Sequence, residues 1–147
     1  MRRLGVDLME ITITTMEVSS DGLVSVSFAA QAGSGRGIWR GPEPRPGQVY
    51  QVELTLLDGL EPGRNVHASL DQTYSLSMMA DTVAMNVLVE SADPDGFASL
   101  RLGSDDLVLA GVLRGRLESG QWVRTCAHFA KLELWPYDVG PFTIFSR

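Results

Sequence analysis

Apolar and polar residues take turns along most of the chain. In MEITITTMEV, Ile11 and Ile13 alternate with threonines. In DGLVSVSF, Val24, Val26 and Phe28 share one face, while Ser25 and Ser27 share the other. β-Branched residues alternating with small polar ones describe half-buried strands. The SSDG connector between the two runs predicts a hairpin over residues 8–29. The pattern is clearest in QVYQVELTLLDG, where Tyr50, Val52, Leu54 and Leu56 oppose Gln51, Glu53 and Thr55.

Farther along, residues 73–79 and 82–91 can pair across Ala80-Asp81, and strands are predicted at 97–102 and 106–113. Methionine and alanine favour a helix over 76–89. The strict alternation of Val83, Met85, Val87 and Val89 favours a strand there instead. GQWVRTCAHFAKLELWPYD reads as a last long strand or pair of strands, and GPFTIFSR as a short tail, residues 139–147. The stretch LEPGRNVHASLDQ reads as a loop with a helical turn near Ser69.

One stretch breaks the pattern. AQAGSGRGIWRGPEPRPG, residues 30–47, holds five glycines and three prolines and reads as a long loop. Loops of that length inside a compact domain are usually either functional or disordered. Eight or nine short strands, frequent turns and no long amphipathic helix predict one all-β domain over residues 1–147. Its expected form is an OB-like antiparallel barrel, with a β-sandwich as the alternative. The expected parts are the hairpin at 1–29, the Gly/Pro/Arg loop at 30–47, the main barrel at 48–138 and the tail.

Composition narrows this. At 147 residues and 44% apolar content, the chain has enough material for a core without a metal or disulfide staple. Its net charge of −6 disfavours nucleic-acid backbone and anionic lipid as average partners. Eleven arginines against one lysine, Lys131, suggest a GC-rich bacterial source. A single cysteine, no apolar signal segment and no run long enough to span a bilayer lead to the expectation of a cytoplasmic protein without a membrane role.

Four aspartates fall within residues 93–106, and DPDG begins like a calcium loop. The positions that would have to supply an oxygen ligand, a glycine and a glutamate hold Phe97, Ala98 and Ser104. DPDG and GSDD are therefore read as two hairpin turns. Cys126 and His128 fall on one face of a strand, as a metal site or a nucleophile with its base would require. With only one other histidine, His67, and apolar neighbours, Cys126 reads more simply as a small buried hydrophobe. GSGRG lacks the lysine and Ser/Thr of a phosphate-binding loop. Glu53 and Glu90 have no glycosidase-like spacing. Trp122, Trp135 and Tyr137 are expected to close a barrel end. No catalytic residue, metal or cofactor is expected, which leans against an enzyme.

The most distinctive candidate site is Arg36, Trp39, Arg40 and Arg45, opposed only by Glu43. Interleaved arginine and tryptophan suit an interface hot spot or stacking on bases. RPGQVYQVELTLLDGL and VLVESADPDGFASLRLGSDDLVLAGVL resemble a group of small, uncharacterised bacterial β-barrel proteins over about residues 39–137. The resemblance implies a shared fold and brings no catalytic residues. The expected function is a non-catalytic protein-binding module, an accessory or immunity-type factor. Single-stranded nucleic-acid binding through residues 36–45 is the alternative.

Overall fold

A computed structural model describes residues 8–93 and 96–137. It is all-β: β1 Met9–Val18, β2 Val24–Ala30, β3 Gly33–Trp39, β4 Val49–Leu60, β5 Val66–Ala68, β6 Ser75–Met79, β7 Thr82–Ala92, β8 Phe97–Arg101, β9 Leu107–Val112, β10 Trp122–His128 and β11 Leu132–Pro136. One 3-10 turn, Phe129–Lys131, joins the last two strands. The tail at 139–147 lies outside the described residues.

The pairings close on themselves. β1 pairs with β2, β2 with β3, β3 with β11, β11 with β4, and β4 with β1. Each of these five strands uses both of its edges. Val52 of β4, for example, faces Met9 on one side and Pro136 on the other. The β3–β11 pairing is parallel, and the circuit has the strand order of an OB-like five-stranded Greek-key barrel. Beyond Val52, the edge of β4 that held β1 passes to β9, and β8, β7, β10 and β5 continue outward. β6 bridges β7 and β3, which closes a wider eight-strand circuit. The strands from β5 to β10 are thus a sheet inserted before the closing strand of the barrel.

The interior is one continuous apolar cluster. Ile11, Ile13, Phe28, Leu54, Leu132 and Leu134 come from the five-strand circuit, with Met85, Val87 and Leu100 from the inserted sheet. Alternation holds where it was expected. Leu54 and Leu56 are buried between less buried Glu53 and Thr55, and β6 turns into β7 at Ala80-Asp81. At the described ends of DPDG, Gly96 sits at φ 93° and its N–H donates to the Asp93 carbonyl at 3.0 Å, as a turn requires.

The long loop is a correction. Residues 33–39 form β3, leaving a connection of nine residues before β4. Gly35 and Gly37 face inward, where side chains from other strands already fill the space. A Cβ on Gly35 would lie 2.9 Å from the Phe28 ring, and one on Gly37 would lie 2.5 Å from Leu134 Cδ1. Glycine here marks close approach of backbone to core. The N-terminal hairpin and β3 therefore belong to the barrel itself. The segment around Ser69 contains the short strand β5 and no helix. Three pairings are parallel, β3–β11, β4–β9 and β3–β6, so the barrel is not purely antiparallel.

Candidate functional site

The four residues singled out from sequence are held by four different sets of neighbours. Arg36 projects from the outer face of β3. Its Nη2 donates to Glu17 Oε1 at 2.8 Å and to Ser25 Oγ at 3.2 Å, and Nη1 lies 3.8 Å from Asp81 Oδ1. The guanidinium sits 3.7 Å from the centroid of the Phe129 ring. Trp39 points the other way and is only 5% exposed. It packs edge-on against Tyr50, and its Nε1 donates to the Pro42 carbonyl at 2.6 Å. Arg40 pairs with Glu133 at 3.4 Å and lies over Trp135. Arg45 is exposed, and its backbone N–H donates to the Tyr50 hydroxyl. Trp39 is thus an anchor for residues 40–48, with no ring face to offer a ligand.

Arg36 instead lies beside a cleft of about 580 Å³. The β1–β2 turn forms one wall with Val18, Asp21 and Leu23. β2 and β3 form the floor with Ser25 and Ile38, and Phe129 forms the far wall. This is the β2–β3 face of the barrel, flanked by the first turn and by the segment entering the closing strand. OB-folds bind their ligands on that face.

Local chemistry builds each wall. Ser19 N–H donates to the Leu23 carbonyl at 2.8 Å, and Gly22 at φ 87° completes the turn. Asp21 Oδ1 accepts from the Ser19 hydroxyl and from Leu23 N–H. These bonds, the serine's foremost, hold the Asp21 carboxyl below its ordinary range and keep it ionised. Opposite, His128 Nδ1 accepts from Ala130 N–H at 3.0 Å and caps the 3-10 turn, with its ring stacked on Phe129. Phe129 N–H donates to the Asp81 carbonyl at 2.9 Å.

The rim carries Glu17, Asp21 and Asp81 against Arg36, with Lys131 just beyond Ala130. Glu17 keeps 74% of its side chain in water. The floor sets apolar Ile38 beside Ser25, and exposed Val18 and Leu23 stand at its edge. Among the described residues, the cleft lining includes no cysteine or histidine.

Cys126 corrects another expectation. It is exposed, on the outer face of β10 with His128, while Val123, Thr125 and Ala127 turn inward. Among the described residues, no group of three His, Cys, Asp or Glu side chains is placed to hold a metal ion. Trp135 likewise lies outside the barrel, its Nε1 donating to Glu133, and Trp122 packs on Tyr74. Glu90 accepts from Arg101 at 2.8 Å, an ion pair across β7 and β8.

Of the cleft residues the sequence singled out only Arg36, and Leu23, Asp21 and Phe129 are among those it missed. SSDGL reads as turn chemistry and HFAK as part of a strand. The available signal was a leucine directly after a turn at the tip of a hairpin, where a polar residue is the ordinary choice. No protein family matches the chain, and no curated protein or solved structure does either. The fold and the cleft carry the functional reading.

Proposed function

We propose that this protein is a non-catalytic protein-binding module, an accessory or immunity-type factor, that engages a partner segment in the cleft between the β1–β2 turn and Phe129. The observation that carries this reading is a cleft on the β2–β3 face of the barrel where Ile38, Leu23 and Phe129 stand beside the carboxylates of Asp21 and Glu17. Such a lining suits a segment that offers an apolar side chain and a cation. The partner's cation would meet Asp21 and Glu17, while Ile38, Leu23 and Phe129 would exclude water from its apolar neighbour.

The test is selection of a displayed peptide library on the immobilised protein, followed by chemical-shift mapping of the enriched peptides. The expected sequences pair Arg or Lys with Leu, Ile or aromatic residues and shift Leu23, Ser25 and Phe129. Leu23→Asp is expected to weaken them at least tenfold. Enriched peptides that map elsewhere, or that ignore the substitution, would overturn the reading.

The OB-like position of the cleft also favours a second reading, single-stranded nucleic acid. Against it stand buried Trp39, an Arg36 already engaged by Glu17 and Asp81, and the net charge. Titration of fluorescent oligonucleotides at about 50 mM and about 200 mM salt separates the two. Tight binding that collapses at the higher salt would favour nucleic acid.

A further inference from the structure

Apolar side chains left in water gather at a second place, on the outer face of β4, β9 and β8. Phe97 is 64% exposed and Leu113 67%, with half-exposed Leu57 on the same side of the sheet. Phe97 faces Gly111 across the strand pair, and Leu113 packs beside Gly59, so no neighbouring side chain shields either residue. Patches of this kind on a folded domain commonly mark contact surfaces.

The adjoining loop carries the other half of the signal. Arg36, Arg40, Arg64 and Arg101 each pair with a carboxylate. Arg114 and Arg116, like Arg45 and Arg124, are exposed and make no ion pair among the described residues. They flank Gly115, which turns the chain at φ 85°. Residues 113–117, LRGRL, therefore present two uncommitted cations beside an exposed leucine. The cleft rim presents Glu17, Asp21 and Asp81, with Arg36 bound to the first and last, beside exposed Leu23. The two surfaces share no residue and are complementary in both charge and polarity.

We propose that the occupant of the cleft is the 113–117 loop of a second copy of this chain, an inference that rests on the protein-binding reading of the cleft. Arg114 and Arg116 of one copy meet Asp21 and Glu17 of the next, and Leu113 covers Leu23. Such an interface is head-to-tail: each copy keeps one unused cleft and one unused loop, so association continues into a ring or a filament. Two copies of charge −6 repel one another at long range. At physiological ionic strength that repulsion is screened within about 8 Å, and the local contacts decide.

Sedimentation velocity on the full chain tests this, from about 10 μM to about 1 mM, where weak interfaces of small area associate. The wild type is expected to at least double its weight-average mass across that range. Leu23→Asp, and separately the double variant Arg114→Glu, Arg116→Glu, are expected to stay monomeric. Each keeps one intact surface, so an equimolar mixture of the two is expected to form heterodimers and nothing larger. Circular dichroism melts verify that both variants fold. A wild type that remains monomeric, variants that associate as the wild type does, or a mixture that fails to pair would each overturn the assignment. Library peptides that bind the cleft of a strictly monomeric protein would overturn it too, while leaving the protein-binding reading intact.

Discussion

β3 and β7 both run through the packed interior, by opposite means. On β3 the inward positions hold glycine, because Phe28 and Leu134 occupy the space a side chain would fill. Its outward Ile38 is buried beneath the hairpin and the 3-10 turn. On β7 the inward positions hold Val83, Met85 and Val87, and the outward face is buried at Ala84 and Asn86. Asn86 Nδ2 donates to the carbonyls of Asp71 and Thr73, both at 2.8 Å, and so ties residues 69–74 near that face. One strand is buried by leaving side chains out and the other by packing them in. The first tolerates no addition, and the second is sensitive to removal.

The largest effect should therefore come from adding atoms to β3. Gly37→Val places carbon against Leu134 and against the Leu132 carbonyl, 2.7 Å from the glycine's ideal Cβ position. A backbone oxygen in the closing strand cannot swing aside. Denaturant titration is expected to show a loss at or above the ~3 kcal/mol upper end of ordinary overpacking. Gly35→Ala meets only the edge of the Phe28 ring and should cost about 1 kcal/mol. Equal losses at the two positions would remove the distinction between backbone and side-chain crowding.

Removing atoms from β7 comes next. Asn86→Ala leaves two carbonyls without their donor and should cost about 1–2 kcal/mol. The accompanying sign is faster amide exchange confined to residues 69–74, read by hydrogen-exchange mass spectrometry. Exchange that rises uniformly over the chain would mean that the asparagine does not hold that segment. On the neighbouring β10, the Thr125 hydroxyl is buried with no hydrogen-bond partner among the described residues. Thr125→Val removes an unsatisfied polar group and is expected to raise stability by about 1 kcal/mol. A loss on thermal melting would contradict that.

The smallest effect lies at the turn between β8 and β9. Burial first, then the charges of Asp105 and Glu10, raise the Asp106 carboxyl above its ordinary range. A raised folded-state pKa favours the fold below the unfolded carboxylate value of about 3.9 and loses that contribution as pH rises through the folded value. Asp106→Asn should therefore melt slightly above the wild type at pH 7, with the gap closing on acidification toward pH 4. A gap that widens on acidification would reverse the assigned sign.

The same contrast explains what could be read from the sequence. β4 and β7 announce themselves because their inward positions carry valine, leucine or methionine in alternation, and β8 and β9 because apolar residues run between turn signals. β3 alternates just as strictly, but its inward residues before Trp39 are glycines, so the apolar signal disappears where packing is tightest. β5 is three residues long and exists through its pairing with β10. The candidate site was legible in one residue. Arg36 stood out by type, yet what surrounds it (Glu17, Asp81 and Phe129) comes from three distant segments that no local pattern joins. Trp39 was visible as an aromatic, and its burial depends on Tyr50 and on the Pro42 carbonyl beyond the strand. Cys126 looked apolar by its neighbours in sequence, whereas period two sends it to the opposite face from them.

β11 is the last strand along the described chain, and it lies between β3 and β4, two of the first four. Its partners are some eighty to a hundred residues upstream, so the five-strand circuit cannot close until residue 136 has been synthesised. The inserted hairpins of β6 to β9 have near neighbours and can form earlier. A barrel closed by its final strand has high contact order and a correspondingly slow closing step. Until then β3 and β4 expose unpaired edges, the interval in which a newly made chain is most open to pairing with the wrong strand.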